Sequence, residues 1–167
     1  MDGDVAESVT VEGGILVGHD GSENAQHALR WAGELARRAD LDLHVMRSWS
    51  MTTAPRPASW SPGYVPPIED WAGAVFEELN KHVTAAHLDS AVRVHCHVVH
   101  RSPAKGLIET SAGADLLVVG ARGRGGFGGL LLGSVSDQCV HHAQCPVTVI
   151  RPGTGTSLVQ GRTTLPD

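Results

Sequence analysis

Disulfide architecture is the first thing this chain lacks. Only Cys96, Cys139 and Cys145 occur in 167 residues, an odd number with no CxxC spacing, which points to reduced thiols and a cytoplasmic setting. Aromatics are scarce at 4%, and Trp31, Trp49, Trp60 and Trp71 show no spacing of a base-stacking platform. Cations are in deficit: 13 Lys+Arg stand against 18 Asp+Glu, a net charge of −5, which opposes any broad grip on nucleic acid or anionic lipid. Apolar runs are short as well. Leu116–Val119 and Leu130–Leu132 fall far below the ~20 residues needed to span a bilayer. The first residues carry Asp2, Asp4, Glu7 and Glu12, the opposite of a basic then apolar secretory signal. These absences leave one α/β domain, long enough for folding to remove roughly 70% of the unfolded chain's surface from water.

The apolar periodicity supplies the elements. Ile15-Leu16-Val17-Gly18 reads as a strand running into the turn His19-Asp20-Gly21-Ser22. Ala25, Ala28, Leu29, Ala32, Leu35, Ala36 and Ala39 then recur at helical spacing, with Arg37 and Arg38 suited to the negative end of the helix dipole. Leu41, Leu43 and Val45 alternate into a second strand, and Ile68, Ala72, Val75, Leu79 and Val83 mark a second helix. Between them residues 49–67 hold five of the nine prolines, a loop too rich in Pro and Ser for a regular element and long enough to act as a flap. Val92, Val94, Cys96 and Val98 predict a half-polar strand, and Ser102-Pro103 starts a helix whose face is Ala104, Leu107, Ile108 and Ala112. Leu116–Val119 predicts a central parallel strand. A short helix with Val135, Cys139 and His142 on one side stops at Pro146, before a last strand at Val147–Ile150. Strands alternating with helices imply a mostly parallel sheet covered on both faces, with ligands bound beyond the strands' carboxyl ends.

The richest chemistry follows the fourth strand. From Gly120 to Ser134 the chain reads GARGRGGFGGLLLGS. Glycine lets backbone N–H groups approach an anion without a Cβ in the way, and a helix start at Gly133, Ser134 and Val135 offers unpaired donors with a positive dipole. This is phosphate-cradle chemistry, although Ser134 also suits a plain helix cap. Gly123 to Gly128 satisfies G-x-G-x-x-G by coincidence: the dinucleotide fingerprint belongs to a first strand–helix turn with an acid about 20 residues on, and Thr148 stands near that distance. A Walker A loop is missing, since Lys81 and Lys105 are the only lysines.

Gly120-x2-Gly123-x9-Gly133-Ser134, together with Val17-Gly-His-Asp20-Gly-Ser22, resembles the nucleotide-binding signature and first turn of the universal stress protein family. The resemblance covers residues 13–152, with flexible tails expected at 1–12 and 153–167. It implies a Rossmann-like, doubly wound sheet of five parallel strands in the order 3-2-1-4-5, ATP or a related adenine nucleotide as ligand, and a homodimer, placed here through the last strand. Carried over, Asp20 lies by the ribose and the metal–phosphate region, where it would meet magnesium. The backbone around Val45 meets adenine; Val119, Gly120 and Gly123 line the nucleotide, and Gly133, Ser134 and Val135 hold the phosphates. Arg122 and Arg124 would add the positive charge that the loop's lack of lysine leaves unsupplied. Asp20 also suits the role of helix N-cap.

The ten histidines invite a metal reading that spacing weakens. Alternation puts Cys96 opposite His95 and His97, while His141 and His142 point about 100° apart ahead of Cys145. The expected function is a cytoplasmic, ATP-binding stress-response regulator acting as a nucleotide-dependent sensor, with no nucleic-acid or membrane partner. The alternative is a slow magnesium-dependent ATP hydrolase or a phosphoryl- or nucleotidyl-transfer enzyme. Against it, Asp20 is the only acid in the two motifs, and His19, a candidate base, sits in a turn of the kind that is commonly exposed.

Overall fold

The computed structural model describes residues 5–124, 131–151 and 153. Along them run β1 (Ile15–Gly18), α1 (Glu23–Ala39), β2 (Leu43–Trp49), α2 (Ile68–Ala85), β3 (Val94–His100), α3 (Pro103–Thr110), a 3-10 turn (Ser111–Gly113), β4 (Leu116–Gly120), α4 (Ser134–His142) and β5 (Val147–Ile150). The strands form one parallel sheet in the order β3-β2-β1-β4-β5. This is the doubly wound order that the resemblance implies.

Alternation along the central strand divides the core in two. Ile15 and Val17 pack with Val45, Val118 and Ile150 against Leu29 of α1 and Leu79 of α2. Leu16 packs with Met46, Leu117 and Val119 against Leu107 of α3 and Cys139 of α4. Each such aliphatic side chain contributes about 1.5–3 kcal/mol by leaving water, and burial on both faces explains why β1 and β4 read as continuous apolar runs. The stripe Ala25, Ala28, Ala32 and Ala36 is buried and brings α1 close to the sheet. Ser22 starts that helix, its Oγ accepting the Ala25 N–H at 3.1 Å, and Asp40 ends it in the left-handed conformation at φ 52°.

Three expectations shift. The second strand begins at Leu43, so Leu41 belongs to the turn. His142 is exposed, and α4 buries Ser136 and Cys139 instead. The proline-rich connection is docked, because Trp60 and Ala54 pack on a third cluster of Trp49, Trp71 and Val75. Arg56 also lies 4.2 Å over the Trp60 ring. Residues 5–12 run over the body: Val11 is buried, and Ala6 O accepts the His100 N–H at 2.8 Å. Residues 1–4, 125–130, 152 and 154–167 lie outside the described residues, and with them fall most of the expected C-terminal tail and the Gly125–Gly128 part of the G-x-G-x-x-G match. No described helix is long and apolar enough to cross a membrane.

Candidate functional site

The chain leaves β1 toward β2 on one side, while β4 flanks it on the other. The carboxyl ends of β1 and β4 therefore diverge, which is where doubly wound sheets bind ligands. A cavity of about 450 Å³ opens there. Its floor includes Gly18, Val119 and Gly120. A Cβ at Gly120 would come within 2.9 Å of the Asn24 backbone, so glycine at the strand end lets the first turn of α1 close against the sheet.

Asp20 stands at the rim with both carboxylate oxygens in use. Oδ1 accepts the Ser22 N–H at 2.9 Å and Oδ2 accepts the Arg124 N–H at 3.1 Å. Ser22, not Asp20, is the side-chain cap of α1. Asp20 instead ties the first turn to the glycine segment. A Cβ at Gly123 would lie 2.5 Å from Asp20 Oδ2, so the second glycine of the signature is small because the carboxylate approaches it.

Across the cavity the base of the glycine segment is clamped to α4. The Gly133 N–H donates to Ala121 O at 2.7 Å, and the single Ser136 Oγ proton is shared between Ala121 O and Gly133 O, each 2.9 Å away. Gly133 is the N-cap and offers no side-chain bond, so Ser134 is the first helical residue rather than the cap. The first intrahelical bond of α4 runs from the Asp137 N–H to Gly133 O. The N–H groups of Ser134, Val135 and Ser136 therefore precede the ladder, at the positive end of the helix dipole. Arg122 Nε and Ser48 Oγ are buried at the same cavity with no hydrogen-bond partner among the described residues.

A charge network closes the side next to α2. Arg47, with only 3% of its side chain exposed, donates to Glu78 Oε2 at 2.6 Å, and Arg124 Nη2 donates to Glu78 Oε1 at 2.9 Å. Burial acts to raise the Glu78 pKa, but hydrogen bonding and charge from Arg124 and Arg47 outweigh it and hold the carboxyl below its ordinary range.

His19 is buried, which corrects its reading as an exposed turn residue. Its Nδ1 accepts the Gly21 N–H at 3.1 Å and its Nε2 meets Gln26 Oε1 at 3.0 Å. That pattern requires a neutral ring protonated on Nε2, and it leaves neither nitrogen free to act as a base. Burial pushes the His19 pKa from 6.5 down to about 4. His44 and His97, whose rings meet at Nδ1 and Nε2 3.0 Å apart, are also lowered, chiefly by burial. The unfolded chain then binds more protons than the folded one below pH 6.5, so stability falls as the solution is acidified. His19 alone accounts for about 3 kcal/mol, lost as pH falls from 6.5 to 4. Urea melts across that window should show the slope shrinking in His19→Asn, whose amide oxygen replaces the Nδ1 acceptor.

Nine of the ten residues singled out from sequence line the one cavity: Asp20, Val119, Gly120, Arg122, Gly123, Arg124, Gly133, Ser134 and Val135. Val45 does not. Its side chain lies in the core between the sheet and α1 and α2, and β2 reaches the cavity one residue later, through Met46, Arg47 and Ser48. The sequence reading also missed Thr52 and Thr53 of the proline-rich connection and Leu107 of α3. Among the described residues no group of three or more His, Cys, Asp or Glu side chains is placed to hold a metal ion, and all three cysteines are free thiols.

The model of the universal stress protein family matches residues 14–151. The chain belongs to that family. A universal stress protein of Mycolicibacterium smegmatis is 36% identical over 145 residues, which cover 83% of this chain and 45% of the relative. One from Mycobacterium tuberculosis is 35% identical over 143 residues, covering 82% and 47%. The chain thus spans about half the length of the curated universal stress proteins it matches. Among solved structures, a universal stress protein in complex with cAMP is 25% identical with a TM-score of 0.57, over 86% of this chain and 98% of that one. A universal stress protein from Archaeoglobus fulgidus in complex with dAMP, 18% identical with a TM-score of 0.52 over 85% and 99%, shares the fold.

Proposed function

We propose that the cavity binds an adenine nucleotide, with ATP as the ligand, and that the chain works in the cytoplasm as a nucleotide-dependent sensor. The observation that carries this reading is the convergence, around one cavity at the switch point, of the uncapped start of α4, the Gly120–Gly123 backbone and the Asp20 carboxylate. Backbone donors and a helix dipole suit phosphate. The volume falls within the ~300–1,000 Å³ of small-molecule sites. The cAMP and dAMP complexes of related folds support adenine as the base.

In this reading the N–H groups of Ser134 and Val135 and the backbone of Gly123 hold phosphate, Gly133 fixes the start of α4 through its N–H bond to Ala121 O, and Arg122 and Arg124 add positive charge. Met46 and Val119 flank the apolar part of the ligand. Magnesium is commonly held by one or two carboxylates together with substrate phosphates, and Asp20 fits that donor set. The ion would screen the phosphate charge beside the Asp20 carboxylate. With both His19 nitrogens engaged, the site is suited to holding the nucleotide rather than to activating water. Nucleotide released by denaturing the purified protein, identified by chromatography and mass, should be an adenine nucleotide. An empty protein that also fails to bind added ATP, AMP or cAMP would refute the proposal.

The same reading includes a homodimer. Val147–Ile150 lies at one edge of the sheet, with Val147, Thr148 and Val149 partly exposed and Ile150 buried, and its ladder groups are open on the outer side to pair with a second copy. Sedimentation at micromolar concentration should give the mass of a dimer, and a monomer would exclude this pairing.

A further inference from the structure

Glu78 is one carboxylate shared by two guanidinium groups that reach it from different parts of the fold. Arg47 comes from β2 and Arg124 from the glycine segment. The two arginines are held very differently. Arg47 is 3% exposed and spends a second donor on Thr53 O at 3.3 Å, so it has nowhere else to go. Arg124 is 51% exposed. Its backbone is pinned through the N–H bond to Asp20 Oδ2, and its half-exposed side chain lies at the cavity rim.

The resting place of that side chain is built into the first turn. Gly21 has φ +83°, and a Cβ there would collide with the Arg124 guanidinium. Gly21 suits this φ, at which the chain turns, and the Arg124 guanidinium lies against it on its way to Glu78. Two cations share Glu78, and the Asp20 carboxylate close by brings the four charges to balance, so Arg124 has only half of the carboxylate it rests on, next to a cavity that Arg47 and Arg124 both line. A polyphosphate carries more negative charge than the half-share of a carboxylate that Arg124 now has, and it offers the two-oxygen geometry that guanidinium prefers. An uncharged nucleoside offers neither.

We infer that Glu78 is a positioning residue that parks Arg124, and that transfer of Arg124 from Glu78 to the ligand sets how strongly the cavity prefers polyphosphorylated adenine nucleotides over adenosine. This rests on the proposed nucleotide site. Parking reduces the fraction of molecules in which Arg124 is available, and apparent affinity falls by that fraction. Weakening the parking bond therefore raises preference for ATP, and removing Arg124 lowers it. When ATP draws Arg124 away, α2 also loses its tie to the glycine segment.

The test is calorimetric titration of the full chain with ATP and with adenosine, for wild type, Glu78→Gln, Arg124→Gln and the double variant, each checked by thermal melting. The quantity read is the ratio of the two affinities, which a merely structural defect leaves unmoved because it weakens both ligands alike. Arg124→Gln should lower the ratio about 10-fold, and Glu78→Gln should raise it about 3-fold. The double variant should match Arg124→Gln alone, since Glu78 acts only through Arg124. A Glu78→Gln effect that persists without Arg124, or a ratio that neither single variant moves, overturns the inference. Should Glu78→Gln fail to fold, because Arg47 is left buried without its carboxylate, Arg124→Gln decides alone, and an unchanged ratio is the contrary result. If wild type binds neither ATP nor adenosine, the nucleotide reading itself falls; if it binds both without the coupling, only the parking role falls.

Discussion

Gly123→Val is expected to lower ATP affinity about 100-fold, equivalent to about 2.7 kcal/mol, while leaving circular dichroism and the melting temperature close to wild type. Gly123 is exposed and lies outside the helices and strands, so no core contact is lost with the substitution. Its φ is not in the left-handed region, and valine brings no backbone strain there. The damage is local. The new Cβ would start 2.5 Å from Asp20 Oδ2, forcing apart the carboxylate and the glycine segment that together wall the cavity, and the added methyls would stand where backbone N–H groups approach phosphate. Calorimetric titration measures the affinity. Equal binding by a normally folded variant would remove the glycine segment from the site.

Asp20→Asn is the second large effect. The variant keeps one oxygen to accept the Ser22 N–H, and Ser22 still caps α1, so the stability cost is about 1 kcal/mol, that of the hydrogen bond from Arg124. The charge, however, is gone. If Asp20 meets magnesium on the bound phosphates, ATP affinity in magnesium should fall about 10-fold or more, and the gain that magnesium gives the wild type should vanish. Titrations with magnesium and with chelator separate the two terms. An unchanged magnesium dependence would leave Asp20 with its structural role alone, bridging the first turn and Arg124.

The parts of this fold that were legible in the sequence are those in which one requirement dominates. Ile15–Val17 and Leu117–Val119 are buried on both faces, so an apolar run was their only solution. The signature glycines were legible because of the close approaches that they serve, Gly120 to the Asn24 backbone and Gly123 to the Asp20 carboxylate. Val45 shows where such reasoning stops. It belongs to the right strand, but strand alternation and the depth of the cavity decide which side chain lines it, and those place the Val45 side chain in the core and Met46 at the cavity. The proline-rich connection has no period to read. Its position depends on Trp60 meeting Trp49 and Trp71, contacts that are not local in the chain.

Arg47 did carry a signal. A lone charge within Leu43–Trp49, a strand buried almost throughout, demands a partner, because an unpaired buried guanidinium is costly. Sequence could announce that need without naming Glu78, which sits 31 residues away on α2. Likewise the sequence offered Asp20 as the cap of α1, and only the geometry of the turn assigns the cap to Ser22 and frees Asp20 to reach Arg124.

The central claim is that one cavity, between Asp20 and the start of α4, holds an adenine nucleotide. Titration of the nucleotide-stripped chain with ATP and magnesium, followed by calorimetry, tests it most directly. Saturable binding of one ATP per chain, competed by AMP or cAMP and weakened by Gly123→Val, is the predicted result. Absence of saturable binding to the folded, stripped chain, or binding that Gly123→Val leaves untouched, would contradict it.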